Sequence, residues 1–285
     1  MNSFFEEFTN REIAIFLWLG IFIFIMLFLK NVRQSAGGIF KHFFSPKFQM
    51  IFIPLCIYSF CIIYILKLLR FWDFNLLKDS IFWFFGVAFS QIFRITKKVD
   101  IPFFKKIIID AVKITILLEF VLNTYVFSLP IELAFVLVLI ILSALKPIAE
   151  SKIEYKDVNS CITNLLAIAG IGMTAFALYQ TVVHYKDFFS THNLKSILLS
   201  PILTILYIPF LYLLAVFFTY ERFYPTLRYK TAGDKKLLRY LKWEIFKIAG
   251  LNITKLNNII SNISKKHVLT IENKREYLKL VSRSQ

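Results

Sequence analysis

The sequence predicts an all-α, polytopic integral membrane helix bundle of about seven transmembrane helices, followed by a short cytoplasmic helical tail. Three observations predict it. Hydrophobic residues make up 58% of the chain and mean hydropathy is +0.64, whereas soluble domains run at roughly 45–50% apolar. The apolar residues gather into long runs, and runs of about 18 or more read as membrane spans. Of 34 Lys and Arg residues, 27 fall in every second connection plus the tail, six fall on the other side, and Lys113 lies inside a run. Basic loops stay in the cytoplasm, so the N-terminus is expected outside and the C-terminus inside. The expected location is a cytoplasmic membrane of bacterial type.

Residues 1–220 form the predicted bundle and 221–285 the tail. The first span covers about 13–29. Glu6, Glu7 and Glu12 precede it, which does not suit the basic start of a cleavable signal peptide, so this span is expected to remain in the mature protein. The inner loop that follows carries Lys30, Arg33, Lys41 and Lys47. Its stretch from Gly37 to Phe44 mixes aromatic and basic residues. It reads either as a surface helix at the inner leaflet or as an ordinary loop.

The second span covers about 49–66, with Pro54 inside it. Phe71 and Trp72 in the next loop suit an interfacial aromatic belt, while Lys67 and Arg70 run against the charge rule. The third span, about 76–93, has a short apolar core. The cluster Arg94, Lys97, Lys98, Lys105 and Lys106 after it marks an inner loop. The fourth and fifth spans, about 107–129 and 131–145, read as a tight hairpin turning at Pro130 and Glu132 on the outer side. The sixth covers about 161–184. The seventh covers about 196–220, where Pro201 and Pro209 could break or bend it.

The tail carries 15 Lys/Arg against five Asp/Glu. Asp234 is a predicted N-cap and Gly250 a predicted stop for a helix whose apolar residues Leu237, Leu238, Leu241, Ile245 and Ile248 recur at helical spacing. Ile253, Leu256, Ile259, Ile260 and Ile263 make a second apolar stripe. Cys56, Cys61 and Cys161 have no metal-ligand spacing and read as buried apolar fillers.

Chemistry-bearing residues concentrate in the fourth span. Asp110, Lys113, Glu119 and Asn123 interrupt an otherwise apolar run, and each charge costs on the order of 2.5–3.5 kcal/mol at the helix centre. Asp110 is expected near the helix N-terminus, where an anion is favoured, and within reach of Lys113 three residues on. With Asn164 of the sixth span and Gln91 of the third, these residues are the candidate polar path. A structural role, orienting helices by hydrogen bonds, competes with it. The small residues of the sixth span, Gly170 and Gly172 among them, favour close helix packing against the fourth. His184 and His192 flank Asp187 in the last outer loop, a weak metal pattern.

No hydrolase, zinc-protease or phosphate-loop signature occurs, so neither a catalytic site nor a cofactor is expected. In the tail, Lys235, Lys236, Arg239, Lys242 and Trp243 are candidate contacts to anionic headgroups at the inner face or to a cytoplasmic protein. Lipid outweighs nucleic acid because basic residues are expected beside anionic leaflets. A homo-oligomer is compatible with the pattern. The expected function is an ion or small-solute conduit: a channel, a pore-forming effector or a transporter. The competing readings are a non-conducting scaffold that recruits a partner through the tail, and a membrane enzyme using Asp110 or Glu119.

Overall fold

The computed structural model describes residues 8–95, 100–113, 120–122, 124–188, 190–231 and 234–264. Among them the regular structure is entirely helical. Among the described residues, six helices are long and apolar enough to cross a membrane. The chain divides into two compact units, Met1–Cys56 with Lys113–Leu198, and Ile57–Val112 with Leu199–Gln285.

In the first unit, α1 (Asn10–Phe28) opens on a reciprocal cap. The Glu12 amide donates to the Thr9 hydroxyl, and the Thr9 amide donates to the Glu12 carboxylate at 2.7 Å, which satisfies two otherwise orphaned donors. Only Ala14 of this helix is buried. Helix α2 (Lys30–Phe43) follows after Leu29, so the Gly37–Phe44 stretch is helical as far as Phe43, not a loop.

Helix α3 (Pro46–Leu68) keeps Pro54 within it and passes into the second unit. It ends where Arg70 takes a φ of 59°, and the Phe71 and Trp72 amides fold back to the Leu66 carbonyl. Helix α4 (Phe74–Ile95) is 22 residues long, so the third predicted span has the length its short apolar core put in question. It contains a π-helical turn at Phe84–Ala88.

The fourth predicted span needs correction: it is not one continuous helix among the described residues. Helix α5 (Ile101–Ala111) starts six residues before the predicted boundary, with Pro in its first turn, where its fixed φ is pre-organised for a helix and its missing N–H costs nothing. It stops at Val112, whose φ of −116° and ψ of 9° leave helical geometry. Hydropathy is the same for apolar residues in a helix or out of one, so the run 107–129 concealed this end.

Helices α6 (Leu129–Glu150) and α7 (Lys156–Val183) pack on each other, and α6 also packs on α1. The short α8 (Tyr185–Phe188) leads to α9 (Thr191–Lys230). In helix α9 the prolines make no break, and the predicted end needs correction. The helix runs 40 residues without a break through Pro201, Pro209 and Pro225, and it continues past the predicted end at Tyr220. Glu221 and Arg222 end the apolar run but not the helix. Pro209 removes the amide that would serve the Ile205 carbonyl; one residue on, the Leu206 carbonyl accepts a bond from the Tyr58 hydroxyl at 3.0 Å.

Burial identifies α9 as the centre of the second unit. In its apolar window 44% of residues are buried, against 6% in α1. Trp83 donates to the Thr204 hydroxyl at 3.0 Å, and Tyr207 donates to the Ala88 carbonyl at 3.2 Å, so α4 is held to α9 by polar contacts inside an apolar surround.

The tail forms a helical hairpin, α10 (Lys235–Ala249) and α11 (Ile253–Ser264), as the apolar stripes predict. Asp234 caps α10 by accepting from the Lys236 and Leu237 amides at 2.8 and 3.1 Å. Gly250 ends it with a φ of 49° and ψ of −122°, a region that carries strain for any residue with a Cβ. The cysteines are a further correction. Cys61 and Cys161 are exposed and Cys56 is partly so; in a bilayer an outward-facing apolar side chain meets lipid, so exposure here costs little.

Candidate functional site

The residues of the predicted polar path fall in both units, Gln91 and Asp110 in the second and Lys113 and Asn164 in the first. Glu119 and Asn123 lie outside the described residues. Asp110 sits in the last turn of α5, and Lys113 follows two residues after its end. The expectation that Asp110 occupies a helix N-terminus is reversed. Because α5 begins at Ile101, Asp110 lies near the negative end of the helix dipole, and Lys113 is the charge that end favours. Gln91 is buried on α4 and accepts a bond from Arg94 at 3.3 Å. Asn164 is exposed on α7.

The predicted contact between the fourth and sixth spans does form, at one end. Val121 is buried in a cluster with Ala177 of α7 and Phe188. Phe127 stacks on Phe176 with ring centres 4.4 Å apart. The small-residue face of α7 is a different matter. A Cβ added at Gly170 or Gly172 would meet nothing within 4 Å, so no described neighbour closes on that face there. The Thr174 hydroxyl is turned back onto the Gly170 carbonyl at 2.8 Å.

The most highly organised polar cluster joins two charges that no local pattern pairs. Arg11 lies in the first turn of α1 and Glu132 in the first turn of α6. The Arg11 guanidinium donates through Nε and Nη2 to the two Glu132 oxygens at 3.1 and 3.0 Å. Its Nη1 donates to the Leu122 carbonyl at 2.7 Å. Glu132, fully buried, also accepts from the Phe127 amide at 2.9 Å. Asn10 donates to the Phe127 carbonyl at 2.9 Å, and Trp18 donates to the Leu133 carbonyl at 2.9 Å. Paired forks of this kind fix geometry as well as adding energy. With its oxygens and donors engaged, the cluster suits positioning and not reaction. It holds Leu122 and Phe127 and brings the N-terminal ends of α1 and α6 together.

Four of the five candidate tail residues lie together. Lys236, Arg239, Lys242 and Trp243 line an open cavity of about 690 Å³, together with Tyr224, Tyr240 and Phe246; Lys235 is exposed outside that lining. The Lys242 ammonium stands 3.9 Å from the centre of the Tyr224 ring. Sequence reading missed the aromatic wall from α9 because Tyr224 lies beyond the predicted end of its helix.

Among the described residues no group of three or more His, Cys, Asp or Glu side chains could hold a metal ion. His184 instead stacks on Tyr125 at 6.4 Å. Compared with known protein families, with curated proteins and with solved structures, the chain matches none.

Proposed function

We propose that the chain is an ion or small-solute conduit, with seven crossings and a path along the interrupted crossing between Ile101 and Leu129. The observation that carries this reading is the end of α5 at Val112, with Asp110 and Lys113 on either side of it in an otherwise apolar stretch. Eleven helical residues rise about 16 Å, roughly half of a 30 Å hydrocarbon layer. Backbone that leaves a helix at membrane depth must be buried in protein or line water. Interrupted helices of this kind supply binding groups in transporters.

The clamp between α1 and α6 supports the count. Their N-terminal ends meet. If α1, α3 and α4 each cross once, the chain leaves α4 on the opposite side from where α1 began. Residues 96–128 must then cross back before α6 starts. The distribution of basic residues, 27 against six, supports an external N-terminus and a cytoplasmic tail.

Purified protein reconstituted into liposomes should pass ions or protons, read by an entrapped indicator dye. Asp110→Asn and Glu119→Gln should change the flux while leaving the amount of inserted protein unaltered. Liposomes as tight as protein-free controls would overturn the reading.

A further inference from the structure

We infer that the cavity between the end of α9 and α10 binds the phosphoryl headgroup of an anionic bilayer lipid. The inference rests on α9 entering a bilayer, not on conduction.

Helix α9 has 40 residues, a length of about 60 Å, twice the hydrocarbon thickness. One half of it must therefore stand outside the hydrocarbon. The tail hairpin marks which half. The Tyr212 hydroxyl donates to the Leu251 carbonyl at 2.8 Å, and the Tyr220 hydroxyl donates to the Gly250 carbonyl at 2.9 Å. The hairpin turn is thus pinned beside α9 between these two tyrosines. At the other end of the hairpin, Lys230 at the end of α9 donates to the Ile263 carbonyl. The turn is the end nearer the apolar half of α9, and the start of α10 is the end farther from it.

The cavity changes character along that same direction. Nearest the turn, Phe246 packs on the Tyr220 ring at 6.1 Å and Trp243 stacks on Phe246 at 6.4 Å. Trp243 is 57% exposed, Phe246 48% and Leu251 55%, in a hairpin whose inner face is otherwise well buried. One turn farther out, Lys242 meets Tyr224, and beyond it come Arg239 and Lys236. Apolar rings thus face the bilayer side and cations the water side, which is the order of an acyl–glycerol body and its phosphate. Aromatic rings with basic neighbours are the usual furniture of this interface.

Charge complementarity selects an anion. Among the described residues, Lys236, Arg239 and Lys242 meet no carboxylate. Glu244, the acidic residue of α10, is engaged by Lys247 at 3.1 Å. Basic side chains beside an anionic leaflet are drawn to its phosphates.

The test uses the full chain in detergent, titrated with brominated phosphatidylglycerol or brominated phosphatidylcholine. The tryptophan quenching lost in Trp243→Phe isolates the signal at the cavity. We expect phosphatidylglycerol to quench it at about tenfold lower concentration than phosphatidylcholine, the ratio that about 1.4 kcal/mol provides. The double variant Arg239→Gln/Lys242→Gln should erase that preference. Arg228→Gln/Lys255→Gln, with the same charge change outside the lining, should keep it. Equal quenching by both lipids, or equal loss in the two double variants, overturns the inference. Displacement of the lipid signal by millimolar inorganic phosphate would assign the cavity to a soluble anion and also overturn it. A tight liposome in the flux assay would leave this result untouched.

Discussion

The Arg11 guanidinium and the Glu132 carboxylate form a two-bond fork, 3.1 and 3.0 Å, across 121 residues of sequence. Both lie in first turns of apolar helices. Removing one partner strands the other in a buried site, which costs about 3–5 kcal/mol. Arg11→Met and Glu132→Gln should each lower the thermal midpoint in detergent markedly. The double variant should recover part of the loss, because no uncompensated charge remains. Independent, additive losses in the double variant would show that the two groups do not act as a pair.

Two glycines should respond in opposite ways. Gly250 has a positive φ, and a Cβ there would meet only the Phe246 carbonyl oxygen at 3.9 Å. The cost of Gly250→Ala is therefore conformational, about 1–3 kcal/mol, and hydrogen exchange should quicken in α10 and α11. Gly170 lies inside α7 with open space around it. Gly170→Ala should be neutral or stabilising by up to about 1 kcal/mol. A destabilised Gly170→Ala would mean that something outside the chain closes on that face.

Thr204 holds two bonds at once. Its hydroxyl accepts from the Trp83 indole and donates to the Ser200 carbonyl at 2.7 Å. Thr204→Val keeps the shape and leaves the buried indole N–H without its acceptor, at a cost of about 1–3 kcal/mol. Trp83→Phe in the same background should restore part of that loss, as read by thermal unfolding.

Sidedness gives a direct check on the interrupted crossing. In a background with Cys56, Cys61 and Cys161 replaced by alanine, an impermeant thiol reagent applied outside should label Ser3→Cys and Ser128→Cys. It should not label Lys235→Cys. Labelling of Ser3→Cys and Lys235→Cys together, with Ser128→Cys protected, would mean that residues 96–128 return without crossing.

What could be read from the sequence was what short-range chemistry decides. Asp234 and Gly250 bracket α10 because a carboxylate accepts from amides two and three residues on, and because a residue without a Cβ tolerates the turn. Of the predicted stripe, Leu237, Leu241 and Ile245 are buried, while Leu238 and Ile248 at its flanks are half-buried. The clamp was illegible because nothing local ties Arg11 to a residue 121 positions away. The end of α5 was illegible because Val112 is as apolar as its neighbours. The charges at Glu221 and Arg222 end an apolar run, which hydropathy sees, but not the helix, which runs on to Lys230. Of the candidate path, Gln91 is buried and Asn164 faces outward, a difference that polarity alone cannot tell.

The fork between Arg11 and Glu132 also sets an order of events during synthesis. A ribosome adding about 5–20 residues per second needs about 6–24 s to travel from one partner to the other. Through that interval the guanidinium waits at the membrane surface without its carboxylate, and α1 must hold its place on hydrophobicity alone.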